Sequence, residues 1–109
     1  MQMLSRVVTW LYGKPKDAQR SSHWRAMRQA HMLLEPICQW CHGKLMLEVH
    51  HIIPFAQDPT RELDPENMIT MCELPGLMCH LYQGHKGNWH LWDPRIRKKC
   101  QEKWNKEKT

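Results

Sequence analysis

The sequence predicts a small α+β domain in which two short strands lie between helices and four cysteines hold the core together. Three observations carry this prediction. The chain has 109 residues, which is room for one modest hydrophobic core. Two pairs of cysteines bracket short apolar runs that end at proline or turn residues. Segments with apolar residues at three- and four-residue spacing stand on either side of this middle region.

A single domain over residues 1–109 is predicted to have three parts. Residues 1–20 form a helical arm, residues 21–92 form a zinc-containing core, and residues 93–109 form a basic C-terminal helix. The arm is mildly amphipathic because its apolar residues recur at helical spacing. These residues are Leu4, Val7, Val8 and Leu11.

Two helices are expected to flank the strands. The first covers residues 22–34, with Ser22 as its cap and Pro36 beyond its end. The last begins at Asp93-Pro94, which reads as an N-cap followed by proline at the first helical position. The faces expected to pack inward are Trp24, Met27, His31 and Leu34 on the first helix and Ile96, Cys100 and Trp104 on the last.

The strands are expected at residues 45–53, ending at Pro54, and at residues 67–72. The segment between them is rich in turn-forming residues and is predicted to be a loop. A further short helix is expected to open at residues 79–82.

The five cysteines are interpreted as metal ligands of a protein in a reducing cytoplasm. Disulfides are the alternative, but an odd number leaves one thiol over, and the first residues lack the basic start and apolar core of a secretory signal. No apolar run approaches the length needed to span a membrane. A metal also suits so small a chain, because apolar burial alone gives it little stability.

A structural zinc ion is predicted on Cys38, Cys41, Cys72 and Cys79. Two thiolates three positions apart on a tight turn can reach one tetrahedral ion. The six-residue spacer of the second pair is long, but closing a few extra residues of loop costs little.

One alternative to this ligand set stays open at the level of sequence. His42 or His80 could replace one of the four cysteines. Cys100 falls on the apolar face of the last helix and is interpreted as a small buried hydrophobe.

The formal net charge of +5 favours an anionic partner, with nucleic acid as the default. A solvated basic face is the competing interpretation. The candidate DNA-binding residues are Lys86, Arg95, Arg97, Lys98 and Lys99.

Three segments between and around the cysteines together resemble the HNH endonuclease family. They are EVHHIIP at residues 48–54, LDPENMITMC at residues 63–72 and CH at residues 79–80. The resemblance extends over about residues 24–88 and is greatest to the four-cysteine subgroup of phages and prophages. It implies a ββα-metal (His-Me finger) core with its active site between the strands and the helix.

The resemblance also implies roles for individual residues. His51 would be the general base, His50 and His80 would bind a catalytic divalent metal (Mg²⁺, Mn²⁺ or Ni²⁺), and Asn67 would hold the loop that carries His51. Some family members have another histidine four residues after the last one, where this chain has Gly84. His85 would be a third ligand only if the helix is distorted or ends there.

The function implied is hydrolysis of DNA phosphodiester bonds, by nicking or by double-strand cleavage. The alternatives are a catalytically inactive zinc-binding module of a phage that binds DNA or protein, and an RNA-directed or toxin nuclease. The partners expected are DNA and phage packaging proteins, with no membrane, for a monomer or weak dimer. The expected location is the cytoplasm of a bacterial host, with a phage or prophage as the source.

Overall fold

The computed structural model describes residues 19–108, so the predicted arm lies outside the described residues apart from its last two. The predicted α+β class is confirmed. The elements are helix α1 (Trp24–Leu34), strand β1 (Leu47–His51), strand β2 (Met68–Cys72), a π-helical turn (His80–Gly84) and helix α2 (Ile96–Lys108).

Helix α1 begins later than predicted. The prediction that Ser22 caps it is wrong, because the first residue of the helix is Trp24. Ser21 organises the start instead, since its hydroxyl accepts from the His23 N–H at 3.0 Å and its carbonyl accepts from the Trp24 N–H at 3.2 Å. The prediction that Leu34 faces inward is wrong, because Leu34 is 87% exposed and lies, like Leu33 at 83%, on a part of the helix that nothing in the described residues covers.

The end of α1 is tied to both neighbouring elements through Glu35. Its backbone N–H donates to the His31 carbonyl at 2.8 Å, and Pro36 then prevents continuation of the helix. Its carboxylate accepts from the Thr70 N–H of β2 at 2.8 Å and from the Arg97 guanidinium of α2 at 2.9 Å. One carboxylate thus joins three elements.

Strands β1 and β2 form a two-stranded antiparallel sheet in which His51 pairs with Met68 and Leu47 pairs with Cys72. The first strand is two residues shorter at each end than predicted. Met46 has a φ of 52°, a left-handed conformation that a strand cannot contain. All five residues of β2 are buried, so the sheet is covered on both faces.

Three Asp-Pro pairs start turns in the same way. In each, the aspartate side chain accepts from the backbone N–H two residues later, and the proline fixes the backbone between them. The acceptor–donor pairs are Asp58 with Thr60 at 3.2 Å, Asp64 with Glu66 at 2.9 Å and Asp93 with Arg95 at 2.9 Å. The third pair corrects the prediction for the last helix, because a turn precedes it and Pro94 is not its first residue.

The core lies between the sheet, the cysteine-bearing turns and α2. As predicted, Ile96 and Cys100 of α2 face inward, and both are buried. The buried core cluster contains Cys38, Ile52, Ile69, Met71, Cys72, Cys79, Ile96 and Cys100. Among residues 19–108, no helix combines the length and apolar character needed to cross a membrane.

Candidate metal centres and active site

The four predicted cysteines come together in one cluster. The sulfur atoms of Cys38, Cys41, Cys72 and Cys79 all lie within 4.8 Å of one another. Zn–S bonds of about 2.3 Å place the sulfur atoms of a tetrahedral site about 3.8 Å apart. The Sγ atoms of Cys41 and Cys72 are 3.7 Å apart, which fits that spacing. The donor set and its geometry therefore suit a structural zinc ion with no open position.

The turn that carries the first cysteine pair is closed by its own backbone. The Cys38 N–H donates to the Gly43 carbonyl at 2.8 Å, and the His42 N–H donates to the Cys38 carbonyl at 2.9 Å. His42 has a φ of 66°, so the chain reverses within the turn. A Cβ on Gly43 would lie 3.4 Å from the sulfur of Cys41, so the small residue lets the backbone pass close to the cluster.

The long spacer of the second pair forms a compact turn. The N–H groups of Leu77 and Met78 both donate to the Leu74 carbonyl, at 3.0 and 2.8 Å. Gly76 supplies a φ of 90° at the reversal. The compact turn therefore brings the chain back so that the sulfur of Cys79 joins the other three in the cluster.

The alternative zinc ligands lie elsewhere. His42 places its Nδ1 3.6 Å from the Glu107 carboxylate, and His80 points towards His50. Cys100 is buried apart from the cluster, and burial followed by the charge of Cys38 raises its pKa to about 12. Burial, followed by the charge of Cys38, also raises the pKa of Cys79, so the cluster favours a bound cation over free thiolates.

Three histidines form a second cluster. His50, at the inner side of β1, meets His80 and His85 from the π-helical turn, with ligand atoms within 4.8 Å of one another. The Nδ1 of His50 and the Nε2 of His80 are 3.1 Å apart. Nitrogen ligands about 2.1 Å from a single ion are separated by about 3.0 to 3.4 Å. This spacing fits two ligands of one metal ion.

The π-helical turn explains how His85 reaches the cluster. Its N–H is shared between the His80 carbonyl at 3.1 Å, five residues back as in a π-helix, and the Leu81 carbonyl at 3.2 Å, four residues back as in an α-helix. The turn contains one extra residue, so the fifth residue occupies the angular place that the fourth has in an α-helix. The helix is therefore distorted in the way that the sequence analysis required for His85 to be a ligand.

Gly84 makes room for this arrangement. A Cβ on Gly84 would lie 3.2 Å from the His50 Nε2 and 3.3 Å from two ring carbons. The helix backbone thus packs directly on the imidazole, which is 1% exposed. A side chain at this position, including the histidine of some family members, would displace His50.

Hydrogen bonds outside the cluster fix which nitrogens face the shared space. His80 Nδ1 lies 3.3 Å from the Glu73 carboxylate, and His85 Nδ1 donates to the Leu91 carbonyl at 2.7 Å. An acceptor at Nδ1 holds the proton there and leaves the Nε2 lone pair free. Burial, then the charges of His80 and His85, lower the pKa of His50 to about 2, so its imidazole is neutral and able to bind a metal.

His51 points away from the three-histidine cluster, as adjacent strand residues do. Its Nε2 lies 2.8 Å from the Glu62 carbonyl oxygen. Because a carbonyl only accepts, Nε2 carries the proton and Nδ1 keeps a lone pair. Its ring packs against Trp24 at 4.4 Å between centres. Burial, followed by the charge of Arg20, outweighs the carbonyl and lowers the pKa of His51.

Asn67 is buried and holds the loop that follows β1. Its Oδ1 accepts from the Ile53 N–H at 2.7 Å, and its Nδ2 donates to the Ile53 carbonyl at 3.0 Å and the Arg61 carbonyl at 3.2 Å. Its own carbonyl accepts from the Ile52 N–H at 2.9 Å. The side chain therefore fixes the two residues after His51 and the approach to Glu62.

The three-histidine cluster and His51 both line one cavity of about 230 Å³. Its lining is formed by Arg20, Val49, His50, His51, Pro54, Phe55, His80 and His85. The predicted base and the predicted metal ligands thus face the same space, as a single reaction centre requires.

Sequence reasoning missed several residues of this site. Glu73 follows Cys72 directly, and a search for a partner of His80 would have found it. Phe55 and the carbonyl of Glu62 carry no signal in a single sequence, because only the fold brings them to the cavity and to His51. Trp89 is half exposed, and the centre of its ring lies 5.2 Å from that of the His80 ring.

The candidate DNA-binding residues differ in their surroundings. Lys86 follows the site directly and is exposed, and Arg95 and Lys98 are exposed at the start of α2. Arg97 and Lys99 form ion pairs with acidic side chains of the chain itself. The first three are therefore the better placed to meet an anionic partner.

A two-stranded sheet and a short helical turn, beside a cysteine cluster that suits zinc and a histidine pocket, define a small core of the ββα type. Residues 36–86 match the family model for the HNH endonuclease. The match confirms the predicted resemblance to this family over the core of the chain. Searches of curated proteins and of solved structures found no match.

Proposed function

We propose that the protein is a metal-dependent endonuclease that hydrolyses DNA phosphodiester bonds to 5′-phosphate and 3′-hydroxyl ends. One observation carries the proposal. A buried histidine with a free Nδ1 faces the same cavity as three histidines whose ligand atoms converge.

His51 would act as the general base. Its Nε2 proton is held by the Glu62 carbonyl, so Nδ1 is the nitrogen able to accept a proton from a water molecule. The carbonyl also stabilises the imidazolium that forms when the water is deprotonated. Asn67 would keep the supporting loop in place without contacting the substrate.

His50 and His80 would hold the divalent ion, with His85 as a third ligand. When bound, such an ion supplies charge stabilisation for the leaving 3′-oxygen. The neutral state of the buried His50 imidazole supports this role, since only the neutral form has a lone pair for the metal. Glu73 orients His80 from behind.

DNA is the substrate favoured by the family and by the net charge of +5. So small a core has few groups with which to read bases, so phosphate contacts should dominate and binding should weaken steeply with salt. An RNA-directed or toxin nuclease would use the same chemistry and differ in substrate. A phage origin, packaging proteins as partners and action in the bacterial cytoplasm are further parts of this proposal.

The rival proposal is an inactive zinc-binding module. Such a module needs the four cysteines but has no use for a base oriented by a carbonyl beside three converging imidazoles. The test is to incubate the zinc-loaded protein with supercoiled plasmid and Mg²⁺, Mn²⁺ or Ni²⁺, with EDTA as control. Cleavage by the wild type, lost in a folded His51→Ala variant of equal zinc content, is expected. A folded wild type that cuts with none of these ions would favour the binding module.

A further inference from the structure

Arg20 lines the active-site cavity, and no other lysine or arginine of residues 19–108 does so. Its guanidinium carbon lies 4.5 Å from the centre of the Phe55 ring and 5.4 Å from that of Trp24. Trp24 in turn packs on the His51 ring. The cation is therefore held beside the candidate base by two aromatic side chains.

The orientation of Arg20 is set by Glu62. The Arg20 Nε lies 3.3 Å from the Glu62 carboxylate, which is nearly buried and also accepts from the Ser21 N–H at 2.8 Å. The carboxylate engages the inner nitrogen of the guanidinium. Among residues 19–108, the two Nη groups have no hydrogen-bond acceptor, and an arginine fork suits the paired oxygens of a phosphate.

Glu62 serves the base and the cation together. Its backbone carbonyl holds His51 Nε2 at 2.8 Å, while its side chain holds Arg20. An ion pair with a purely structural purpose would not need the cation to line the reaction cavity. Glu62 therefore fixes the position of the Arg20 guanidinium relative to the His51 imidazole.

We propose that Arg20 binds a backbone phosphate of the substrate at the active site, with Glu62 as its positioning residue. The inference rests on the proposed nuclease function for the identity of the substrate, but phosphate binding itself does not require cleavage. The ligand class is a phosphodiester of a nucleic acid strand lying across the cavity.

The test compares Arg20→Ala, Arg20→Gln and Arg25→Ala. Gln keeps an N–H donor for Glu62 while removing the fork, which protects the fold if Ala does not. Arg25 is an exposed arginine of α1 outside the cavity, so its loss is the charge control. Zinc content and melting temperature are measured for every variant.

Two readouts separate the possibilities. Binding of a labelled DNA duplex, without added catalytic metal, is followed against salt, and cleavage is followed with Mn²⁺. Loss of one phosphate contact should reduce the slope of log K against log salt by about 0.9. The kcat/KM of both Arg20 variants should fall about 10- to 100-fold, whereas Arg25→Ala should leave kcat/KM unchanged.

The outcomes are distinct. An unchanged salt slope in folded Arg20→Gln would overturn the proposal, even if cleavage slows, because the residue would then be only structural. The proposal would also be overturned if the Arg20 and Arg25 variants had equal kcat/KM values and equal salt slopes. A wild type that never cleaves, but whose salt slope falls on loss of Arg20, would refute the nuclease function and leave phosphate binding supported.

Discussion

Substitution of Gly84 by alanine tests whether the close contact between the π-helical turn and His50 sets metal affinity. Gly84 has no positive φ, so alanine is compatible with the backbone. Helix propensity alone would make the change favourable by up to about 1 kcal/mol. The added Cβ, however, would lie 3.2 to 3.3 Å from three atoms of the imidazole.

The steric effect should dominate the propensity effect. Contacts this short require the ring to move by a few tenths of an ångström, and His50 is 1% exposed, with little free space around it. Metal–ligand distances tolerate only about 0.2 Å of change. We therefore expect affinity for the catalytic ion to fall about 10- to 100-fold, the range typical when a supporting contact of a ligand is lost.

The assay is calorimetric titration of Ni²⁺ or Mn²⁺ into zinc-loaded Gly84→Ala and wild type. Zinc content should stay at the wild-type level in Gly84→Ala. Wild-type affinity for the second metal in that variant would refute the reasoning.

Three further predictions concern the cysteine cluster, the candidate base His51 and the carboxylate of Glu35. Cys79→Ser should lower zinc content and melting temperature sharply, whereas Cys100→Ser should keep its zinc; equal zinc content in the two variants would contradict the assignment. Burial lowers the pKa of His51, so the acid limb of kcat against pH should have its midpoint below 6.5, and a midpoint near 7 or above would be inconsistent. Burial opposes ionisation of Glu35, but hydrogen bonds and charge from Arg97 outweigh it and lower the pKa of Glu35 below 4.5. Glu35→Gln should therefore cost about 1–3 kcal/mol of unfolding free energy at pH 7, and this difference should shrink as pH falls below 4.5 in urea denaturation; a constant difference would refute it.

The parts of the fold that follow from local chemistry could be predicted from the sequence. The cysteine pairs, the strand that ends shortly before Pro54 and the turns at Asp58-Pro59 and Asp64-Pro65 depend on residue types at short spacing. The inward face of α2, with Ile96 and Cys100, follows from helical periodicity. The ends of the strands and helices were predicted less accurately. They depend on the backbone conformation of single residues, such as the left-handed Met46 before β1 and Ser21 before α1.

The candidate site was predictable in its residue types but less so in its geometry. His50 and His80 converge as the family resemblance implied. The position of His85 depended on whether the helix is α or π, and no periodicity distinguishes these over five residues. The only sequence signal is Gly84, whose small size allows the turn to pack on His50.

Contacts across the fold escaped prediction for a different reason. Glu62 meets His51 through its backbone carbonyl, and every residue has a carbonyl. Arg20 reaches the cavity from outside the predicted core. Such contacts depend on tertiary packing, which one sequence does not encode in any local pattern.

The direct adjacency of Cys79 and His80 links the two metal centres along the chain. Zinc bound at the cysteine cluster would fix the residue that precedes the π-helical turn, and this turn begins with His80 and is followed directly by His85. Metal loading should therefore be ordered, with the histidine cluster formed only after zinc is bound. A newly made chain that lacks zinc would then have no formed site for the proposed nuclease reaction, so zinc supply would determine when that site can act.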